Sequence, residues 1–143
     1  MSEQDNIKVA QASFEAVNAH DLDKWSSFQA DDYMADNSAG PGTMNKEQAR
    51  MLQQGFQTAF PDLHFDVVRT IAQGDYVVLH WMATGTHTGP MRTASGNTVP
   101  PTGKKGTVSG SSTLEIKNGK ITRAWAFWDT SSLLIQLGLM PPM

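Results

Sequence analysis

The fold of this chain turns on Ala124-Trp125-Ala126-Phe127-Trp128-Asp129-Thr130-Ser131-Ser132-Leu133-Leu134-Ile135-Gln136-Leu137-Gly138. The opening run is apolar, short and rich in aromatics, as a buried strand is, and Asp129 followed by a Ser-rich stretch reads as the start of a short C-terminal helix. Alternate side chains of a strand share a face, which groups Trp125 and Phe127 with Asp129. The opposite face carries Ala124, Ala126 and Trp128. Neither face is polar enough for water, so helices of the same chain should cover one and a second subunit the other.

Upstream, the apolar period is 2 from Leu63 onward, and it predicts four strands over residues 63 to 72, 76 to 87, 107 to 116 and 120 to 129. Gln73-Gly74-Asp75 and Asn118-Gly119 supply hairpin turns. Before Leu63 the spacing is helical. Ile7, Ala10, Phe14 and Val17 mark a helix over about 4 to 19, and Asp21 caps a short second helix with Leu22, Trp25 and Phe28. Asn45 and Gln48 form a capping box for a third helix that Pro61 stops. Asp31-Asp32-Tyr33 opens a segment expected to be irregular as far as Gly42, and Thr88 to Gly106 is a long loop, for instance a flap over a pocket. Helices first and strands afterwards indicate one α+β domain over residues 1–143, a curved antiparallel sheet with three N-terminal helices closing a pocket.

Composition narrows the function. With 143 residues, 39% apolar and 17% charged, the chain can bury a core without staples. A net charge of −3 and no basic cluster beyond Lys104-Lys105 argue against nucleic acid. No run approaches the roughly 20 apolar residues of a membrane span, and the acidic start is unlike a secretory leader, so a cytoplasmic location is expected. The absence of cysteine excludes disulfides and thiolate chemistry. His20, His64, His80 and His87 lack metal-ligand spacing, and no nucleotide-binding or serine-hydrolase motif is present, so neither metal nor cofactor is expected.

Asp129 is the leading candidate for chemistry. Beside Trp125 and Phe127 its charged form would be partly desolvated, the setting for a group that both takes and gives a proton; the competing role is that of an N-cap, whose hydrogen bonds favour the carboxylate. Val77, Leu79, Trp81, Ala83 and His87 form the more apolar row of the second strand, which puts Trp81 in the pocket wall and His87 at its end as a proton-exchange or orienting group. A strand-end surface histidine is the alternative, and His80, on the other face, falls to the subunit interface. Tyr33 and Asn37 lie where the chain crosses the open end of the sheet, Asn37 as an anchor for a carbonyl or enolate oxygen or else as a turn residue bonding its own backbone.

Several segments then resemble a known family: Phe14-Glu15-Ala16-Val17-Asn18-Ala19-His20-Asp21-Leu22-Asp23, Phe60-Pro61-Asp62-Leu63-His64-Phe65, Gly85-Thr86-His87-Thr88-Gly89, Pro100-Pro101-Thr102-Gly103-Lys104, Asn118-Gly119-Lys120-Ile121 and Trp125 to Asp129 followed by Gln136-Leu137-Gly138. In that order they are similar to the SnoaL-like polyketide cyclases, or ester cyclases, of the nuclear transport factor 2-like superfamily. The resemblance implies a cone-shaped α+β barrel hollowed by a pocket, commonly dimeric through the outer sheet face. It also implies that an Asp at the position of Asp129 is the acid/base for an intramolecular aldol closure without metal or cofactor. The expected function is a cofactor-independent cyclase or isomerase acting on an apolar, polyketide-like carbonyl compound, with Trp81, Trp125 and Phe127 walling the pocket and His87, Tyr33 and Asn37 assisting Asp129. The alternatives are a non-catalytic module that binds a small molecule or joins an assembly, and an epoxide-hydrolase-like hydrolase.

Overall fold

The computed structural model describes residues 2–92 and 96–142. Helix α1 (Glu3–Asn18) starts on a capping box between Ser2 and Asp5, α2 (Leu22–Ser27) on the Asp21 cap, and α3 (Lys46–Ala59) on the expected box between Asn45 and Gln48. A short α4 (Thr130–Gln136) follows Asp129. The long strands fall where the period of 2 places them: β3 (His64–Gln73), β4 (Tyr76–Thr86), β7 (Lys105–Lys117) and β8 (Lys120–Trp128). Asn118 and Gly119 both take positive φ, as a two-residue hairpin turn whose twist matches its strands requires.

One expectation fails between the second and third helices. Residues Gln29–Asn37 are not irregular but form β1, which pairs in parallel with β8, and β2 (Met44–Asn45) pairs with β1. The sheet is therefore six-stranded in the order β2-β1-β8-β7-β4-β3, with one parallel pair where a wholly antiparallel sheet was expected. Asp31, Asp32 and Asp36 depress strand propensity, yet Tyr33 and Ala35 are buried while Asp31 and Asp32 are exposed, so the strand is held by the core its inward side chains reach.

The loop after β4 is largely organised as well. β5 (Met91–Arg92) and β6 (Thr98–Val99) pair as a small ribbon packed on α3; residues 93–95 of the expected flap lie outside the described residues. Thr88 and Gly89 donate backbone hydrogen bonds to the Ala59 carbonyl, and a Cβ on Gly89 would collide with the Thr58 carbonyl, so this close approach needs glycine.

The core lies between the helices and the concave sheet face, around Val77, Leu79, Trp81, Leu114, Ile116 and Ile121. Trp81 is accommodated because Gly110 stands opposite it; a Cβ there would sit 2.4 Å from the indole. A second cluster joins Ala59, Phe60 and Leu137 and fastens α4 to the end of α3. Among the described residues no helix is long and apolar enough to cross a membrane.

Candidate functional site

A cavity of about 160 Å³ lies inside the cone between α1, α3 and the sheet. Its origin is in the sequence. Ala35, Ala83, Ala124 and Ala126, with Gly85 and Gly106, face inward from four neighbouring strands, and their small side chains leave a void that Phe56, Phe60, Phe65, Trp81 and Trp128 border. Phe65 meets the Trp81 ring edge-on at 5.0 Å, and the Trp81 indole donates to Ser112 Oγ at 3.0 Å, so that wall is fixed.

The face assignment of β8 is corrected by a bulge. Ile121 pairs with Ile116 but Arg123 pairs with Glu115, so Thr122 is the extra residue and the inward row after it runs Ala124, Ala126, Trp128. A slip of one residue turns every later side chain over. Trp125 and Phe127 consequently point away from the cavity, which corrects their expected role as pocket walls. Trp125 lies under the Arg123 guanidinium at 5.0 Å, and Phe127 is 55% exposed.

Asp129 loses its expected aromatic shelter by the same shift. It is exposed and caps α4, accepting from the Ser132 N–H at 2.9 Å through Oδ1. Its neighbours in the chain are nonetheless cavity residues: Trp128 immediately before it, and Leu133 on the first turn of the helix it caps. Asp129 itself is not among the lining residues, and its Oδ2 is not engaged by any described residue.

Trp128 is set by Asn37, whose Oδ1 accepts from the indole Nε1 at 3.2 Å and from the Ala39 N–H at 2.9 Å. Asn37 thus does the work of a turn residue while lining the cavity, its Nδ2 remaining as a donor. Asp36 also contributes to the lining, but it pairs with the outward Trp125 position, and its carboxylate is held by the Thr43 hydroxyl and by Arg123, which keep it below the usual carboxylate range. Tyr33 is 4% exposed and lines the cavity; burial pushes its phenol up, so it is a neutral donor at any ordinary pH.

His87 is not in the cavity. It lies beyond the end of β4, fully buried against Phe60 at 5.4 Å between ring centroids, with Nδ1 accepting from the Thr102 N–H at 3.2 Å. Its backbone is bonded on both sides, to the Lys104 carbonyl and from the Gly103 N–H. Burial pushes the imidazole pKa down, against an opposing contribution from the Gly89 backbone. The ring pins the loop that returns to β7, which corrects its expected place at the end of the pocket-facing row.

Polar residues not singled out from the sequence also line the wall: Gln29, at the start of β1, and Gln53, on α3. Gln29 lies between the expected second helix and the segment read as irregular, so only the parallel pairing with β8 brings it to the cavity.

A family model described as SnoaL-like polyketide cyclase matches residues 7–137. The chain belongs to the SnoaL-like polyketide cyclase family. Among solved structures it is similar to AclR from Streptomyces galilaeus, described as "a putative hydroxylase", at 25% identity and a TM-score of 0.86, covering 99% of this chain and 86% of that one. IdmH from Streptomyces antibioticus, "a putative polyketide cyclase", is 26% identical with a TM-score of 0.79, covering 93% and 98%. A SnoaL-like protein from Jannaschia sp. CCS1, at 21% identity, a TM-score of 0.84 and coverage of 98% and 95%, shares the fold. No curated protein matched the sequence. The SnoaL-like α+β fold, with its curved sheet and hollow closed by helices, is thus common to this chain and these structures.

Proposed function

We propose that this SnoaL-like protein is a cofactor-independent cyclase or isomerase that admits an apolar carbonyl compound to the cavity and moves a proton at its rim through Asp129. The reading is supported by a largely apolar hollow and by the place of Asp129 in the chain, directly after Trp128 and capping the helix that carries Leu133, both of which line the hollow. One carboxylate oxygen holds the group in place through Ser132, and the other is left for chemistry. Asp36 is the carboxylate among the described lining residues, and Thr43 and Arg123 occupy it.

In the proposed reaction Asp129 takes a proton from a carbon next to a carbonyl, and the C–H electron pair passes through that carbon to the carbonyl oxygen, giving an enolate. The enolate carbon attacks a second carbonyl of the same molecule, forming a C–C bond and an alkoxide, which recovers the proton from the Asp129 carboxyl. Isomerisation would return the proton to a different carbon. The Asn37 Nδ2–H, next to Ala126 in register, is the donor best situated to meet the developing oxyanion. Positioned acid/base catalysis contributes about 10² to 10⁴ in rate.

The test is exchange of the methyl protons of 2-acetylnaphthalene in D₂O, followed by NMR. Wild-type protein should accelerate it, and Asp129→Asn should remove about 10² to 10⁴ of the acceleration. A folded Asp129→Asn variant that exchanges at the wild-type rate contradicts the assignment. The capping bond to Ser132 favours one other reading, a binding module of the same fold in which Asp129 only starts α4; it predicts binding without exchange. An epoxide-hydrolase-like reaction lacks support, because the described lining residues offer no free pair of acids.

We also propose that a second copy covers the outer sheet face. Trp125, Thr113, Val78 and Ile71 align there across four strands, next to a row of Phe127, Ser111, His80 and Arg69.

A further inference from the structure

The cavity is largely apolar, and some of its few polar groups are unsatisfied. Gln29 is 3% exposed, and neither its side-chain oxygen nor its nitrogen has a hydrogen-bond partner among the described residues. Gln53 Nε2 is likewise buried without a partner, and no described residue bonds the Tyr33 hydroxyl. All three line the same hollow. Native structures pair nearly all buried polar atoms, because a donor or acceptor stripped of water and left empty is costly. A leucine at position 29 would pack there at no such cost, so Gln29 gains nothing from the fold itself.

Taking the cavity as the ligand site proposed above, we propose that Gln29, with Gln53 and Tyr33, forms a hydrogen-bonding subsite for a hydroxyl group at the end of the substrate remote from the reacting carbon. An empty carboxamide presents both a donor and an acceptor, and a hydroxyl answers both at once. Gln53 Nε2 and the Tyr33 phenol add donors for the same oxygen or one beside it. The position follows from register. Gln29 pairs with Ile121 near the start of β8, whereas Asp129 directly follows the last residue of that strand. The substrate class is thus an elongated apolar carbonyl compound hydroxylated at its far end, and Gln29 selects for that hydroxyl.

The experiment is an NMR titration of ¹⁵N-labelled protein with 2-naphthol and with naphthalene. Wild-type protein should bind 2-naphthol about tenfold more tightly than naphthalene, the worth of one well-made hydrogen bond plus relief of the empty groups. Gln29→Leu should lose most of that preference, with its affinity for naphthalene within about twofold of wild type, while melting at or above the wild-type temperature. Gln53→Leu, run in parallel, should weaken the preference for 2-naphthol without abolishing it. Equal wild-type affinities, or a preference undiminished in Gln29→Leu, would overturn the subsite while leaving the cavity as a binding site. Failure of either probe to shift the amides of the cavity wall would overturn the cavity assignment itself, and the subsite with it.

Discussion

Asp129 carries two roles that one substitution separates. Asparagine caps a helix as well as aspartate does, so Asp129→Asn should leave stability nearly unchanged while removing the proton acceptor, whereas Asp129→Ala should cost about 1 kcal/mol in chemical denaturation by freeing the Ser132 N–H. His87 supplies a second residue-scale prediction. Its folded pKa lies below the ordinary 6.5, so between those two values the unfolded chain binds the proton that the folded chain refuses. The contribution is complete above 6.5 and is lost as pH falls toward the folded pKa. The melting temperature should therefore fall between about pH 7.5 and pH 5.5, and His87→Gln should flatten that slope; an unchanged slope would mean the imidazole is not the titrating group. From the sequence, the junction role of Asp129 was legible in the Ser-rich stretch behind it. The surroundings of His87 were not, because Phe60 and Thr102 reach it only through tertiary packing.

At the scale of elements, the long strands β3, β4, β7 and β8 announced themselves by period and turn residues, α1 by its apolar spacing, α2 by its Asp21 cap and α3 by its capping box. Which way the last strand faced was hidden. Its two rows are nearly equally apolar, so hydrophobicity could not choose between them, and the choice fell to a bulge at Thr122 that leaves no mark in composition. β1 was hidden for a different reason: Asp31, Asp32 and Asp36 lower its strand propensity, and its partner β8 is about ninety residues away in the chain. The alanine row that results makes the cavity, and it can be filled. Ala126→Leu should raise stability by about 0.5–2 kcal/mol as a cavity-filling change, while weakening a cavity ligand about tenfold or more. Gly110→Ala should do the opposite to the fold, since its new methyl would meet Trp81 at 2.4 Å; a loss of about 1–3 kcal/mol is expected by urea titration.

The whole molecule is a cone with an apolar inside and a partly apolar outside. Ile71 and Phe127 are each more than half exposed on the outer sheet face, the face proposed to be covered by a second copy. Sedimentation velocity should give twice the 15.6 kDa chain mass, and Ile71→Lys with Phe127→Glu should return the monomer with its fold intact. The central claim is that the hollow seats a carbonyl compound with its reacting end at Asp129. The most direct measurement is a crystal structure of the protein soaked with 2-acetylnaphthalene. The account predicts the ring system along Ala124, Ala126 and Trp128 and the acetyl group within hydrogen-bonding reach of the Asp129 carboxylate; density only on the outer sheet face, or a ring system seated with its acetyl group at Gln29 and nothing near Asp129, would contradict it.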